Sequence, residues 1–227
     1  MGMIIAKLHI PDGFISIPIS ALFGILSIAL IAISLRRAGA ALDDRTTPLA
    51  GLTAVFIFAA QMINFPVAAG TSGHLLGAAL ATALVGPHAA TLALTVVLGV
   101  QALLFADGGL SALGLNIFNI SILAVWASHL LFRTLRKIFA KSKSGVAVAA
   151  TIAAYISVPI AALGFSFQYA LGGTGTIPAT TVTSAMVGTH LLIGLGEALI
   201  TFITISSILA TRSDLVYGYK PILEVRG

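Results

Sequence analysis

Long apolar runs recur along the chain, separated by short stretches rich in glycine, proline and charge, and their lengths predict helices at about 17–35, 48–65, 74–85, 88–106, 115–135, 145–168 and 182–210. A bilayer core about 30 Å thick takes roughly 20 apolar residues per crossing, so most of these segments are long enough to span it. The third is short, and Gly86-Pro87, which joins it to the fourth, predicts either a tight hairpin or a re-entrant segment. The expected architecture is an all-α polytopic membrane domain of about seven transmembrane helices.

Composition agrees: 58% of residues are hydrophobic, only 8% are charged and the mean hydropathy is +1.08. The net charge of +5 does not point to nucleic acid, because the basic residues fall between the apolar runs rather than on an interleaved aromatic surface. They form three clusters: Arg36, Arg37 and Arg45; Arg133, Arg136, Lys137, Lys141 and Lys143; and Arg212, Lys220 and Arg226. Placing all three in the cytoplasm requires even numbers of crossings between them, which seven helices satisfy. The N-terminus and the loops at 65–73, 107–114 and 169–181 then lie outside, and the C-terminus lies inside. Residues 1–7 are too short for a secretory signal and read as an extension, 8–211 as the transmembrane domain, and 212–227 as a cytoplasmic tail. The expected location is a prokaryotic cell membrane.

Cysteine is absent, which excludes disulfides and thiolate metal sites. No GxxxxGK[ST] motif occurs, so any ATP-driven step by that route belongs to another polypeptide. The outer side gathers LHIPDGF (Leu8 to Phe14), NFPVAAGTSGHLLG (Asn64 to Gly77) and DGGLSALGLNIFN (Asp107 to Asn119). Irregular polar backbone at membrane depth is tolerated only when it is covered by protein or lines a cavity, so these segments predict a shared polar pocket.

Two histidines face that pocket. His9 precedes the Pro11-Asp12-Gly13 turn, and His74 stands at an expected helix start where Thr71 or Ser72 can cap free amides. Singly, each reads as a surface, capping or satisfied polar residue. Together they also fit a nitrogen-rich site for a divalent transition metal, and residue type alone leaves both readings open. Were the mature chain to begin at Leu8, its amine, the His9 amide nitrogen and the His9 imidazole would form two fused chelate rings that His74 completes as a square plane. His190 and Glu197 share one face of the last helix, and a carboxylate at that depth needs an interior partner. Asn116 and Asn119 read as helix glue or as supports for a bound ion. Asp107 with Gly108 and Gly109 reads as an outer turn first and as an attractor of cations second.

At these residues the chain resembles the CbiM/NikM family, the substrate-specific components of energy-coupling-factor transporters for cobalt and nickel. The resemblance runs through HIPDGF (His9 to Phe14), FIFAAQMINFPV (Phe56 to Val67), GTSGHLLG (Gly70 to Gly77), QALLFADGGLSALGLNIFN (Gln101 to Asn119) and HLLIGLGEALIT (His190 to Thr201). It implies a seven-helix fold and Ni2+ or Co2+ as transported substrate, with no cofactor. It also implies a transmembrane coupling protein, a pair of cytosolic ATPases and a small accessory membrane subunit as partners. The implied metal ligands are the amine of residue 8, His9 and His74; Thr71, Ser72, Asn116, Asn119, His190 and Glu197 stand as supporting or ion-path residues. One departure is the seven-residue extension and Leu8 where the family has an N-terminal Met. Translation starting at position 8, or removal of the extension, reconciles the two.

Two other readings are a stand-alone secondary metal transporter and a rhomboid-like intramembrane serine protease using Ser72 and His190. The first expects repeated halves around midplane acids, which the sequence lacks. The second expects further outer-loop features, including a Trp-Arg pair, whereas Trp126 is followed by Ala127.

Overall fold

The computed structural model of the protein describes residues 9–39, 46–62, 65–68, 71–139, 142–217 and 219, with backbone alone for 65–68 and 71–73. Its helices are α1 (Ile17–Gly39), α2 (Thr46–Gln61), α3 (Ala78–Leu104), α4 (Leu113–Asn116), α5 (Val125–Phe139), α6 (Lys143–Gly172) and α7 (Ala179–Thr211). Wider π-helical turns over Ile117–Ala124 join α4 to α5, making Leu113–Phe139 one continuous rod. By length and composition five of these helical elements, α3 among them only as the sum of its two limbs, reach what a membrane crossing needs, and α2 is a shorter apolar helix. The all-α polytopic expectation holds.

The helices expected at 74–85 and 88–106 are the two limbs of α3, which meet at Gly86, where φ 77° and ψ 169° are not helical. A straight helix would put Gly77 and Gln101 about 36 Å apart at 1.5 Å per residue. Instead Gln61 bridges the two ends: its Nε2 donates to the Leu76 carbonyl at 2.8 Å and its Oε1 accepts from Gln101 Nε2 at 2.9 Å. The chain therefore doubles back at Gly86. Gly86 supplies a left-handed φ that residues with a Cβ rarely adopt, and Pro87 begins the returning limb with a preset φ and no amide to satisfy. The Tyr217 ring packs against this corner, where a Cβ on Gly86 would come within 2.6 Å of it.

Two local expectations are corrected. A short antiparallel hairpin, β1 (Phe65–Ala68) with β2 (Thr71–Gly73), stands where the sequence predicted the end of one helix, a loop and a cap. Helix α3 also begins only after Gly77, so His74 lies in an irregular segment between β2 and α3 and not at a helix start. The core is rich in alanine, with Ala78, Ala81 and Ala90 of α3 meeting Ala149, Ala150 and Ala153 of α6 in one buried cluster. Small side chains let membrane helices approach closely, which gives packing between helices that lipid cannot match. Helices α1 and α7 keep Ile25, Ile28, Leu199 and Ile203 exposed on their outer surfaces, as lipid-facing residues are.

Candidate metal centre

The N-terminal strand is seated by backbone and side-chain bonds to two loops. Asn116 presents both ends of its amide to Ile10, accepting from its N–H at 3.1 Å and donating to its carbonyl at 3.4 Å. Gly109 N–H donates to the same carbonyl at 2.9 Å. Asp12 Oδ1 accepts from the Ser111 N–H at 2.7 Å and hydroxyl at 2.6 Å, and the Thr174 hydroxyl donates to the Gly13 carbonyl at 2.6 Å. The double glycine makes this approach possible: a Cβ on Gly109 would overlap the Asp12 backbone. Asn116 thus supports the strand rather than gluing helices.

His74 is positioned from the other side. Glu197 of α7 accepts from the Leu76 N–H at 2.8 Å with Oε2 and from the Gly77 N–H at 2.7 Å with Oε1. The buried carboxylate thereby satisfies two of the amides left open before α3, where the helix dipole favours an anion. His74 Nδ1 lies 2.8 Å from the Leu75 carbonyl. A carbonyl only accepts, so Nδ1 carries the proton and Nε2 holds the lone pair.

These two scaffolds bring His9 and His74 together, with ring centroids 4.8 Å apart and planes inclined by 48°. Both side chains are buried. Burial, and secondarily the neighbouring His9, pushes the His74 imidazole down to about 3, so it is neutral at ordinary pH. Neither ring nitrogen of His9 makes a hydrogen bond among the described residues. Asp107 Oδ2 stands 3.3 Å from His9 Nδ1, an ion-pair distance without hydrogen-bond geometry. Buried nitrogens lacking partners cost free energy unless something else binds them. Among the described residues no three His, Asp or Glu side chains form a metal-coordinating group by themselves.

The remaining predicted residues divide. Asn119 is tied to Gln168 of α6 by reciprocal amide bonds of 2.8 and 3.0 Å, so it joins helices. His190 lines the same cavity as His9, a space of about 210 Å³ also bordered by Asn116 and Met186. Its Nδ1 donates to the Met186 carbonyl at 2.7 Å. Thr71 and Ser72 lie in β2, their side chains outside the described ones, and Leu8 lies outside the described residues altogether. Sequence reasoning undervalued Asp107, read first as a turn, and did not single out Gln168. The acid beside a double glycine was the available signal.

Comparison with known proteins gives a consistent picture. Residues 9–215 match the family described as CbiM, the cobalt uptake substrate-specific transmembrane region. A candidate metal transport protein of Haloquadratum walsbyi is 41% identical over 92% of this chain and 94% of its own. A candidate fused nickel transport protein, NikMN, of Archaeoglobus fulgidus is 40% identical over 92% and 68%, and the cobalt transport protein CbiM of Sorangium cellulosum 30% identical over 92% and 94%. Two crystal structures of transition metal transporters, the first of them truncated, superpose with TM-scores of 0.80 and 0.81 at 28% and 27% identity. They cover 89% of this chain, and 98% and 92% of their own.

Proposed function

The chain belongs to the CbiM family of multi-pass membrane components for prokaryotic cobalt and nickel uptake, and from that premise we propose that it captures the ion in a plane of nitrogen ligands. The ligands are the amine of residue 8 as mature N-terminus, the His9 amide nitrogen and Nδ1, and His74 Nε2. The observation that carries this reading is the meeting of two buried imidazoles, one of them without hydrogen-bond partners among the described residues. An all-nitrogen set suits borderline transition ions and discriminates against calcium and magnesium, which take oxygen. Asp107 Oδ2, 3.3 Å from the same His9 Nδ1, sets a negative charge beside the ion and offsets part of its charge.

The wider proposal follows the family. The bundle of residues 8–211 crosses the membrane seven times, with the two limbs of α3 counted separately. The extension 1–7 is missing from the mature chain, and 212–227 is a cytoplasmic tail. Metal enters from outside, beneath the N-terminal strand. A coupling membrane protein driven by separate ATPase subunits, with a small accessory membrane subunit, releases it inward by reorienting the bundle. The family is one of transport proteins and not known as an enzyme, which disfavours the protease reading.

The test is elemental analysis of native protein whose N-terminus has been sequenced, alongside His74→Ala. The expected result is one Ni2+ or Co2+ per wild-type chain that begins at position 8, and loss of affinity by more than about a hundred-fold in the variant, beyond the 10- to 100-fold typical of supporting residues. Metal bound equally by the variant, or by a chain with an intact Met1, overturns the ligand set.

A further inference from the structure

At the end of the bundle opposite the histidine pair, a cavity of about 470 Å³ opens between α5 and the segment after α7, lined by His129, Phe132, Arg133, Arg136, Lys137 and Tyr217. Three of these six residues are cationic and none is acidic. They recur at three- and four-residue spacing on one face of α5, so their charges converge on one side of the helix. The cavity is held open by fixed contacts. Arg136 Nη1 donates to the Tyr217 carbonyl at 3.0 Å, and its guanidinium lies 5.4 Å from the centre of the Phe132 ring. Tyr217 N–H in turn donates to the Ala83 carbonyl at 2.8 Å, next to the reversal of α3. On the same helix Leu130, Ile138 and Phe139 are exposed apolar residues, which places the basic concavity beside a lipid-facing surface.

We infer that this cavity is a binding site for a phosphate-bearing anion, seated by Arg133 and Lys137 with Arg136 behind them. Topology alone requires basic residues at this end, but it requires only a count of charges and not a walled concavity. Guanidinium forks match phosphate oxygens, and basic pockets between helices on the cytoplasmic side are where anionic lipid headgroups lodge. The adjoining apolar residues supply a surface for acyl chains. A phospholipid headgroup and a free phosphate share the recognised chemistry, and the assay separates them. The inference is independent of the metal site.

The experiment uses the full chain in neutral detergent. Native mass spectrometry after incubation with equimolar phosphatidylglycerol and phosphatidylcholine measures which lipid stays bound, and a thermal melt in lipid-free micelles is titrated with inorganic phosphate. Preferential retention of phosphatidylglycerol is expected, roughly thirty-fold weaker in the double variant Arg133→Gln, Lys137→Gln, at about five-fold per removed charge. Arg36→Gln, which removes an exposed cation of α1 outside the cavity, is expected to retain lipid like wild type. Stabilisation by phosphate that matches phosphatidylglycerol identifies a free anion as sufficient, and retention of the lipid alone identifies the headgroup; either supports the site. Equal retention of the two lipids without a phosphate response overturns it, as does wild-type selectivity in a double variant that still binds Ni2+. Binding that responds only to an acidic polypeptide such as polyglutamate also overturns it, in favour of a protein contact.

Discussion

Gly108 faces His9 so closely that a Cβ on the glycine would come within 2.9 Å of the histidine's own Cβ, and its φ of +92° is one that side chains resist. Gly109 next to it leaves no room for a methyl against Asp12. The pair is therefore the socket into which the N-terminal strand fits, and the depth of that fit sets where His9 sits.

Gly109→Ala is expected to unseat the strand while leaving the helices intact. Cobalt or nickel affinity, measured by calorimetry, should fall by at least about tenfold, while the thermal midpoint moves by no more than a loss of about 1–3 kcal/mol allows. Unchanged affinity would show that the strand reaches His74 by another route.

Asp107→Asn keeps the shape beside His9 Nδ1 and removes the charge. Affinity for Ni2+ should drop by about 10- to 100-fold, the range for groups that support a metal site without ligating it. A circular dichroism spectrum equal to that of wild type would separate this effect from misfolding.

Glu197→Gln leaves one oxygen to serve two amides, those of Leu76 and Gly77. One buried N–H then loses its acceptor, at about 1–3 kcal/mol. Both the melting temperature and the metal affinity should fall, because the freed segment carries His74. A variant that melts early yet binds metal normally would confine Glu197 to stability.

His74, held down to about 3 by burial, stays neutral in the folded protein as the pH drops below the ordinary imidazole value of 6.5. The unfolded chain takes up a proton there, so this residue's contribution to stability is complete above about pH 6.5. It is lost progressively as the pH falls toward 3. Imidazole nitrogen shifts by NMR, recorded at pH 5, should show His74 uncharged, and His74→Gln should flatten the acid loss of stability. A His74 shift that moves through pH 6 would contradict its burial.

The doubled-back α3 makes a topological prediction. With no native cysteine, His88→Cys at the corner should react with impermeant maleimide only from the cytoplasmic side, and Thr174→Cys only from outside. Labelling of both from one side would mean that the reversal does not carry the chain across.

Hydropathy and charge are local properties, read by lipid and by the membrane potential segment by segment. The sequence therefore determined by itself that this is a helical membrane protein, which ends carry the cations, and that His9 and His74 belong to one side. Both limbs of α3 and the break between them were legible through the Gly86-Pro87 pair. The β1–β2 hairpin and the irregular setting of His74 depend on what lies across from them, and local pattern misread both. Only packing decided that Glu197 clamps amides 120 and 121 positions away, that Asn116 holds Ile10, and that Asn119 joins Gln168. Such pairings arise because a buried polar group must find a partner in the one arrangement that closes the whole bundle, and no window of sequence contains both halves of the bond.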